Sequence, residues 1–184
     1  IGMLSDIFEH IDEKQAAAYL DEMDIKKAAA ILSGMETDAV VDVLRMTSKE
    51  KRQVLIDLMD AEARKDMAVI ASFDDEEIGS RMTTNCIVIR ENLTVKQAMS
   101  GLIDQAAKND NISTIFVVTE DGTFYGAIDL KDLIIARQES PLEDQIVTSY
   151  PYVYGQEQID DCIEKLKDYS ENSIPVLDND NKLL

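Results

Sequence analysis

Basic residues are scarce in this 184-residue sequence: 18 Lys and Arg stand against 37 Asp and Glu, a formal net charge of -19. Such a surface repels phosphate backbones and anionic lipid, which argues against nucleic acid as a partner, and it attracts cations. Histidine occurs once, as His10, and cysteine twice, as Cys86 and Cys162, far apart and in no pattern. Zinc chemistry through thiolate or imidazole is not expected; two buried thiols in a reducing compartment are. No apolar run reaches the roughly eighteen residues of a membrane-spanning helix, and no charged-then-apolar start marks a signal peptide. A soluble, cytosolic piece is expected. A nucleophile–base set and a phosphate-binding loop are also missing, so enzymatic activity is not expected.

Hydrophobic residues make up 45% of the chain, enough for a sizeable core. The acid excess is spread evenly: residues 1–77 carry 19 acids and 9 bases, residues 78–184 carry 18 and 9. Folding against that self-repulsion is eased by divalent counter-ions. The plainer alternative is ordinary solubility.

The N-terminal part repeats. "IDEKQAAAYLDEM", "DIKKAAAILSGM", "ETDAVVDVLRM" and "TSKEKRQVLIDLM" each begin polar, turn apolar and close on methionine, at positions 23, 35, 46 and 59. Ala17 and Leu20, like Ala29 and Leu32, stand three apart, which is helical spacing. Each line predicts one short helix. Helices this short are marginal alone, so they are expected to stack into an all-α superhelix of five or six, with the four methionines as packing residues at helix ends. "ASFDDEE", residues 71 to 77, breaks the pattern and is read as the boundary.

From residue 86 the period changes. "CIVI" predicts a strand, "TVKQAMSGLIDQAA" a helix capped by Thr94, with Val95, Ala98, Met99 and Leu102 on one face. "STIFVV" and "FYGAID" predict strands around the turn "TEDG", and "LKDLIIA" a helix. The order restarts with "YVYG", the helix "QIDDCIEKLKDY", the strand "SIPVL", the turn "DNDN" and the beginning of a strand, "KLL". Ile89 superposes on Val153 at an offset of 64, and Val117 on Val176 at an offset of 59, so the first copy carries five extra residues around "AKNDNIS". "DNDN" resembles an EF-hand opening, but no glycine takes the sixth position; it is a hairpin turn.

A tandem βαββα unit of this kind resembles the CBS domain. In that family a Gly-x-[Ser/Thr]-x-x-Asp step between the last strand and helix binds a nucleotide. Here the step runs from Gly126 to Asp132: Asp132 matches the ribose carboxylate, Asp129 stands where the hydroxyl belongs, and Lys131 lies between them. The resemblance thus implies ATP or another adenosine nucleotide at Asp132 and Lys131; the alternative is that Asp129 and Asp132 cap the helix. Thr114, Ser170 and Glu171 depart from residues frequent in the family, aromatics at the first and an acid followed by an aromatic at the other two.

Acidic short helices, then "IGSRMTT" at 78–84, then a CBS pair, together resemble the cytosolic region of MgtE-type magnesium transporters, whose Gly-x-x-Met-Thr step is matched by Gly79, Met82 and Thr83. The resemblance implies an α+β multidomain chain: an N-terminal all-α superhelix at 1–77, a first CBS domain at 78–138 and an incomplete second at 139–184. It further implies a homodimer joined through the CBS domains, a C-terminal transmembrane domain absent here, and a place on the cytoplasmic face of the cell membrane. Magnesium bound between acidic faces of the helical and CBS domains would gate the pore, and this fragment alone would not conduct.

The acids implied by that resemblance are Asp38 and Asp42, four apart on one helix face, Asp160 beside Asp161 at the start of the second CBS helix, and Asp6. Each has a plainer reading. Thr37 would be an N-cap with Asp38 just inside it, Asp42 would pair with Arg45, and Asp160 and Asp161 would complement a helix dipole. A different class of function is also open: a stand-alone CBS module that senses an adenosine nucleotide and regulates a partner enzyme.

Overall fold

The computed structural model describes residues 2–109 and 111–184. They fall into two compact units: Ile1–Asp74 with Ser80–Thr84, and Asp75–Gly79 with Asn85–Leu184. Asp110, within the five-residue insertion inferred from the sequence, lies outside the described residues.

The first unit holds α1 (Gly2–Glu9), α2 (Glu13–Glu22), α3 (Ile25–Leu32), α4 (Thr37–Arg45), α5 (Lys49–Leu58) and α6 (Ala61–Ile70). The polar start of three of the four repeats is an N-cap, as is the residue before α6: Asp12, Asp24, Ser48 and Asp60 accept from main-chain N–H groups in the first turn of their helices, whereas Glu36 before α4 makes no side-chain capping bond. Each helix also packs on the next but one, α1 on α3, α2 on α4, α3 on α5 and α4 on α6, which is how a superhelix buries short helices. Ala16, Leu20, Ala28, Ile31, Leu32, Val40 and Leu55 form its dry interior.

Several of the few bases are directed at helix C-termini rather than at carboxylates. Arg52 Nε donates to the Leu44 carbonyl at 2.9 Å and Arg64 to that of Asp57 at 3.2 Å; Lys51 Nζ donates to the Leu20 carbonyl at 3.1 Å while pairing with Asp21. Two expectations are corrected. Met35 and Met59 are buried and Met23 half-buried, but Met46 is exposed, because it follows the last turn of α4 on the solvent side. Thr37 is the first residue of α4, not its cap. Its side chain is buried and meets Thr84 Oγ1 at 2.7 Å, and Thr84 donates to Asp66 at 3.1 Å. Ser80–Thr84 thereby completes the helical unit.

The second unit carries the tandem pattern read from the sequence. β1 (Ile87–Arg90) runs parallel to β2 (Thr114–Val118), and β3 (Phe124–Asp129) antiparallel to β2. α7 (Val95–Ala106) starts with a capping box in which Thr94 and Gln97 satisfy each other's main chain. α8 (Leu130–Ile135) follows β3 directly, and Leu133 completes a core with Ile87, Ile89, Leu102, Ile115 and Ile128. In the second copy β4 (Val153–Tyr154) is parallel to β5 (Val176–Leu177), with α9 (Ile159–Leu166) between them. Val153 faces Val176 as Ile89 faces Val117, the pairing implied by offsets of 64 and 59.

The expected strand at "KLL" amounts to single bridges, Leu177 to Leu183 and Thr123 to Lys182. The turns "TEDG" and "DNDN" are present; Gly122 has φ +88° and Asn181 φ 60°, left-handed conformations that suit these residue types. Cys162 is buried, but Cys86 only half-buried, at the mouth of β1.

Candidate functional site

Amphipathicity positions the acids of α4. Val40, Val43 and Leu44 turn inward, leaving Asp38 exposed and Asp42 one turn further along with its side chain 49% exposed. Asp42 Oδ1 lies 3.8 Å from Arg45 Nη1, while Arg45 Nη2 donates to the Ser80 carbonyl at 3.1 Å. A half-exposed pair at that distance is worth no more than about 1 kcal/mol, so it does not neutralise the face.

Asp6 is exposed on α1, where its main-chain carbonyl accepts from His10 Nδ1 at 2.7 Å. Asp160 and Asp161 occupy the first turn of α9, whose N-cap Gln158 makes no side-chain capping bond. The nearby Lys165 is engaged with Glu157 at 3.1 Å and lies 5.6 Å from the Tyr152 ring centroid.

These acids present oxygen ligands of the hard type that Mg2+ prefers. Among the described residues no three His, Cys, Asp or Glu side chains converge into a metal-binding group. A hydrated Mg2+ that keeps several waters needs only one or two carboxylates at a time.

The second feature is a cleft of about 270 Å³ in the second unit. β2 and β3 bring Thr114, Ala127 and Asp129 to it, α8 brings Asp132, and Tyr150 and Glu171 close it. Gly126 permits this geometry. A Cβ there would come within 2.6 Å of the Val147 carbonyl, and residues 146–147 run against β3 to form one wall.

Asp129 caps α8, accepting from the Lys131 N–H at 2.8 Å; Asp132 points to the cleft, and Lys131 is exposed and outside its lining. Tyr150 donates to the Ser173 carbonyl at 2.8 Å, and burial foremost pushes its phenol above the usual range. Sequence reasoning missed Tyr150 as a wall of the cleft. Its one signal was position: it precedes the proline that begins the second copy's first strand segment.

The MgtE intracellular N domain matches residues 2–76, and the CBS domain matches residues 76–139. Magnesium transporter MgtE of Thermus thermophilus is 26% identical over 183 residues, 98% of this chain and 41% of the relative, so the chain spans about two fifths of that protein. The soluble part of a magnesium transporter, a crystal structure, superposes with a TM-score of 0.90 at 30% identity, covering 100% of this chain and 72% of that one. The cytosolic domain of the Mg2+ channel MgtE in complex with ATP gives 0.85 at 26% identity, covering 97% and 73%. Among the described residues no helix is long and apolar enough to cross a membrane. In both sequence and fold, helical unit and CBS pair alike, this chain belongs to the MgtE family.

Proposed function

We propose that this chain is the cytosolic, magnesium-sensing regulatory region of a membrane magnesium transporter, with a helical sensor at 1–77 and CBS domains at 78–138 and 139–184. It acts on the cytoplasmic face of the membrane, as a homodimer joined through its CBS domains, upon a transmembrane domain of the same protein. The observation that carries this reading is the likeness of the whole chain to the soluble part of a magnesium transporter. The acidic face of α4 and the net charge of -19 support it.

The physics is charge neutralisation. Two carboxylates about 5 Å apart at an effective dielectric near 20 repel by roughly 3 kcal/mol. A hydrated Mg2+ between acidic faces of the helical and CBS domains reverses that sign. Moving a two-state gate from 1:99 to 99:1 requires about 5.5 kcal/mol of differential binding, which several weak sites acting together supply. Asp38 and Asp42 are the primary ligands in this reading, with Asp160 and Asp6 contributing.

The cleft adds a second ligand, an adenosine compound held at Asp132. Support comes from its lining and from the ATP complex of the related cytosolic domain. Lys131, outside the lining, would reach only a phosphate chain that leaves the cleft.

Thermal unfolding at constant ionic strength tests the sensor. The melting temperature of the parent should rise as Mg2+ goes from zero to roughly 20 mM. Asp38→Asn/Asp42→Asn should lose at least half of that rise. No rise in the parent would refute magnesium sensing; an equal rise in both would move the site off α4.

A further inference from the structure

We propose that Arg45 relays cation occupancy of the α4 acids to Ser80–Thr84, the stretch of chain that leads into β1. This rests on the reading of Asp38 and Asp42 as the magnesium sensor and goes further by naming how their occupancy reaches the neighbouring chain.

Ser80–Thr84 belongs to the helical unit and lies on it as a strap. Ser80 and Met82 are buried, while Arg81 and Thr83 are exposed. Two ties hold the strap, one near each end of α4. At the start of α4, Thr37 meets Thr84 at 2.7 Å, and Thr84 donates to Asp66 at 3.1 Å. At its end, Arg45 Nη2 donates to the Ser80 carbonyl at 3.1 Å.

The two ties differ in what a cation can do to them. The hydroxyl tie uses neither Asp38 nor Asp42. The guanidinium tie is shared, because Arg45 Nη1 also lies 3.8 Å from Asp42 Oδ1. That separation is beyond hydrogen-bond reach, so charge alone holds the pair and another cation can replace it. With the ion site empty, the Asp42 carboxylate draws the guanidinium away from the carbonyl. Mg2+ on Asp42 cancels that pull and repels the guanidinium toward Ser80. Magnesium therefore tightens the strap. The pair is half-exposed and weak, so the effect is about two- to fivefold in the population of lifted strap.

Trypsin reads that population. Arg81 is exposed within the strap, and cutting between Arg81 and Met82 requires the strap to lift. Early cleavage of that bond in the full chain is followed by mass spectrometry, without Mg2+ and at roughly 20 mM, in the parent, Asp42→Asn, Asp38→Asn and Arg45→Met. Mg2+ should slow the cut about two- to fivefold in the parent. Asp42→Asn should be cut as slowly without Mg2+ as the parent is with it. Asp38→Asn makes the same change of charge about two turns from Arg45, and should keep the parent's ion-free rate. Arg45→Met should be cut faster, at a rate indifferent to Mg2+; the aspartate variants decide the matter even if it fails to fold. Asp42→Asn cut at the parent's ion-free rate, or no more slowly than Asp38→Asn, would overturn the relay, because a purely structural Arg45 predicts that result. A parent whose melting temperature rises with Mg2+ while the cut stays constant would do the same and leave the sensor standing. A parent with neither response would overturn both.

Discussion

The two copies of the CBS unit share a register and differ in substance. In the first, β1 and β2 pair over four residues and α7 runs for twelve; in the second, β4 and β5 pair over two and α9 runs for eight. Proline accounts for the strands. At offsets of 64 and 59, Ile87 corresponds to Pro151 and Phe116 to Pro175, so two of the three prolines stand where the second ladder would continue. A proline has no N–H to give a ladder and is confined to strand starts and edges. Helix packing accounts for the rest. Met99 packs against the first core beside α8, whereas its counterpart Ile163 is 63% exposed. One sequence pattern, written twice, pairs its strands at length only in the copy whose strands are free of proline.

The sharpest way to break that contrast is to empty each copy in turn. Ile115→Ala, in a fully buried position of the first core, should cost about 2–5 kcal/mol in urea unfolding. Ile163→Ala should stay within about 0.5 kcal/mol. Similar costs for the two would mean that the second copy is closed by a contact outside the described fold.

The cysteines, one per copy, separate the copies by pH. Burial raises the Cys86 thiol to about 11, and burial foremost raises Cys162 as well. A thiol whose folded value lies above its unfolded value stabilises the fold while protonated. Stability contributed by Cys86 is therefore full below about pH 9 and falls as pH climbs toward 11, by at most about 2.5 kcal/mol. Chemical unfolding at pH 8 and 10.5 should show that loss in the parent, and Cys86→Ala should reduce it.

Smaller effects lie at the helix starts. Thr94 and Gln97 cap α7 reciprocally, while α9 begins at Gln158 without a side-chain cap and carries Asp160 and Asp161 where α7 has Lys96 and Gln97. Thr94→Ala should lose about 1 kcal/mol, and Gln158→Thr should gain about 0.5–1 kcal/mol. An unchanged melting temperature in the second variant would show that the two aspartates already satisfy that terminus through the dipole.

Much of this was legible because it is periodic. Three-residue spacing placed α2 and α3, and the paired offsets anticipated the facing of Val153 with Val176. What escaped was set by tertiary context. Met46 has the same place in its repeat as Met35 and Met59 yet points to solvent. Thr37 looks like a cap but is taken by Thr84, far along the chain. Of the cleft, the Gly126–Asp132 step was legible, but Tyr150 was not, since it comes from a separate stretch of the chain. The reason for Gly126, a close approach, is visible only once the Val147 carbonyl is in place. The acids of α4 were readable as a pair on one face, because a four-residue spacing fixes that without knowledge of any partner.

The central claim is that magnesium acts on those acids. Small-angle scattering of the chain from zero to roughly 20 mM Mg2+ at constant ionic strength, with Asp38→Asn/Asp42→Asn in parallel, tests it most directly. The account predicts a radius of gyration that falls with Mg2+ in the parent and falls less, or only at higher Mg2+, in the variant. A radius in the parent that does not respond to Mg2+ would contradict it.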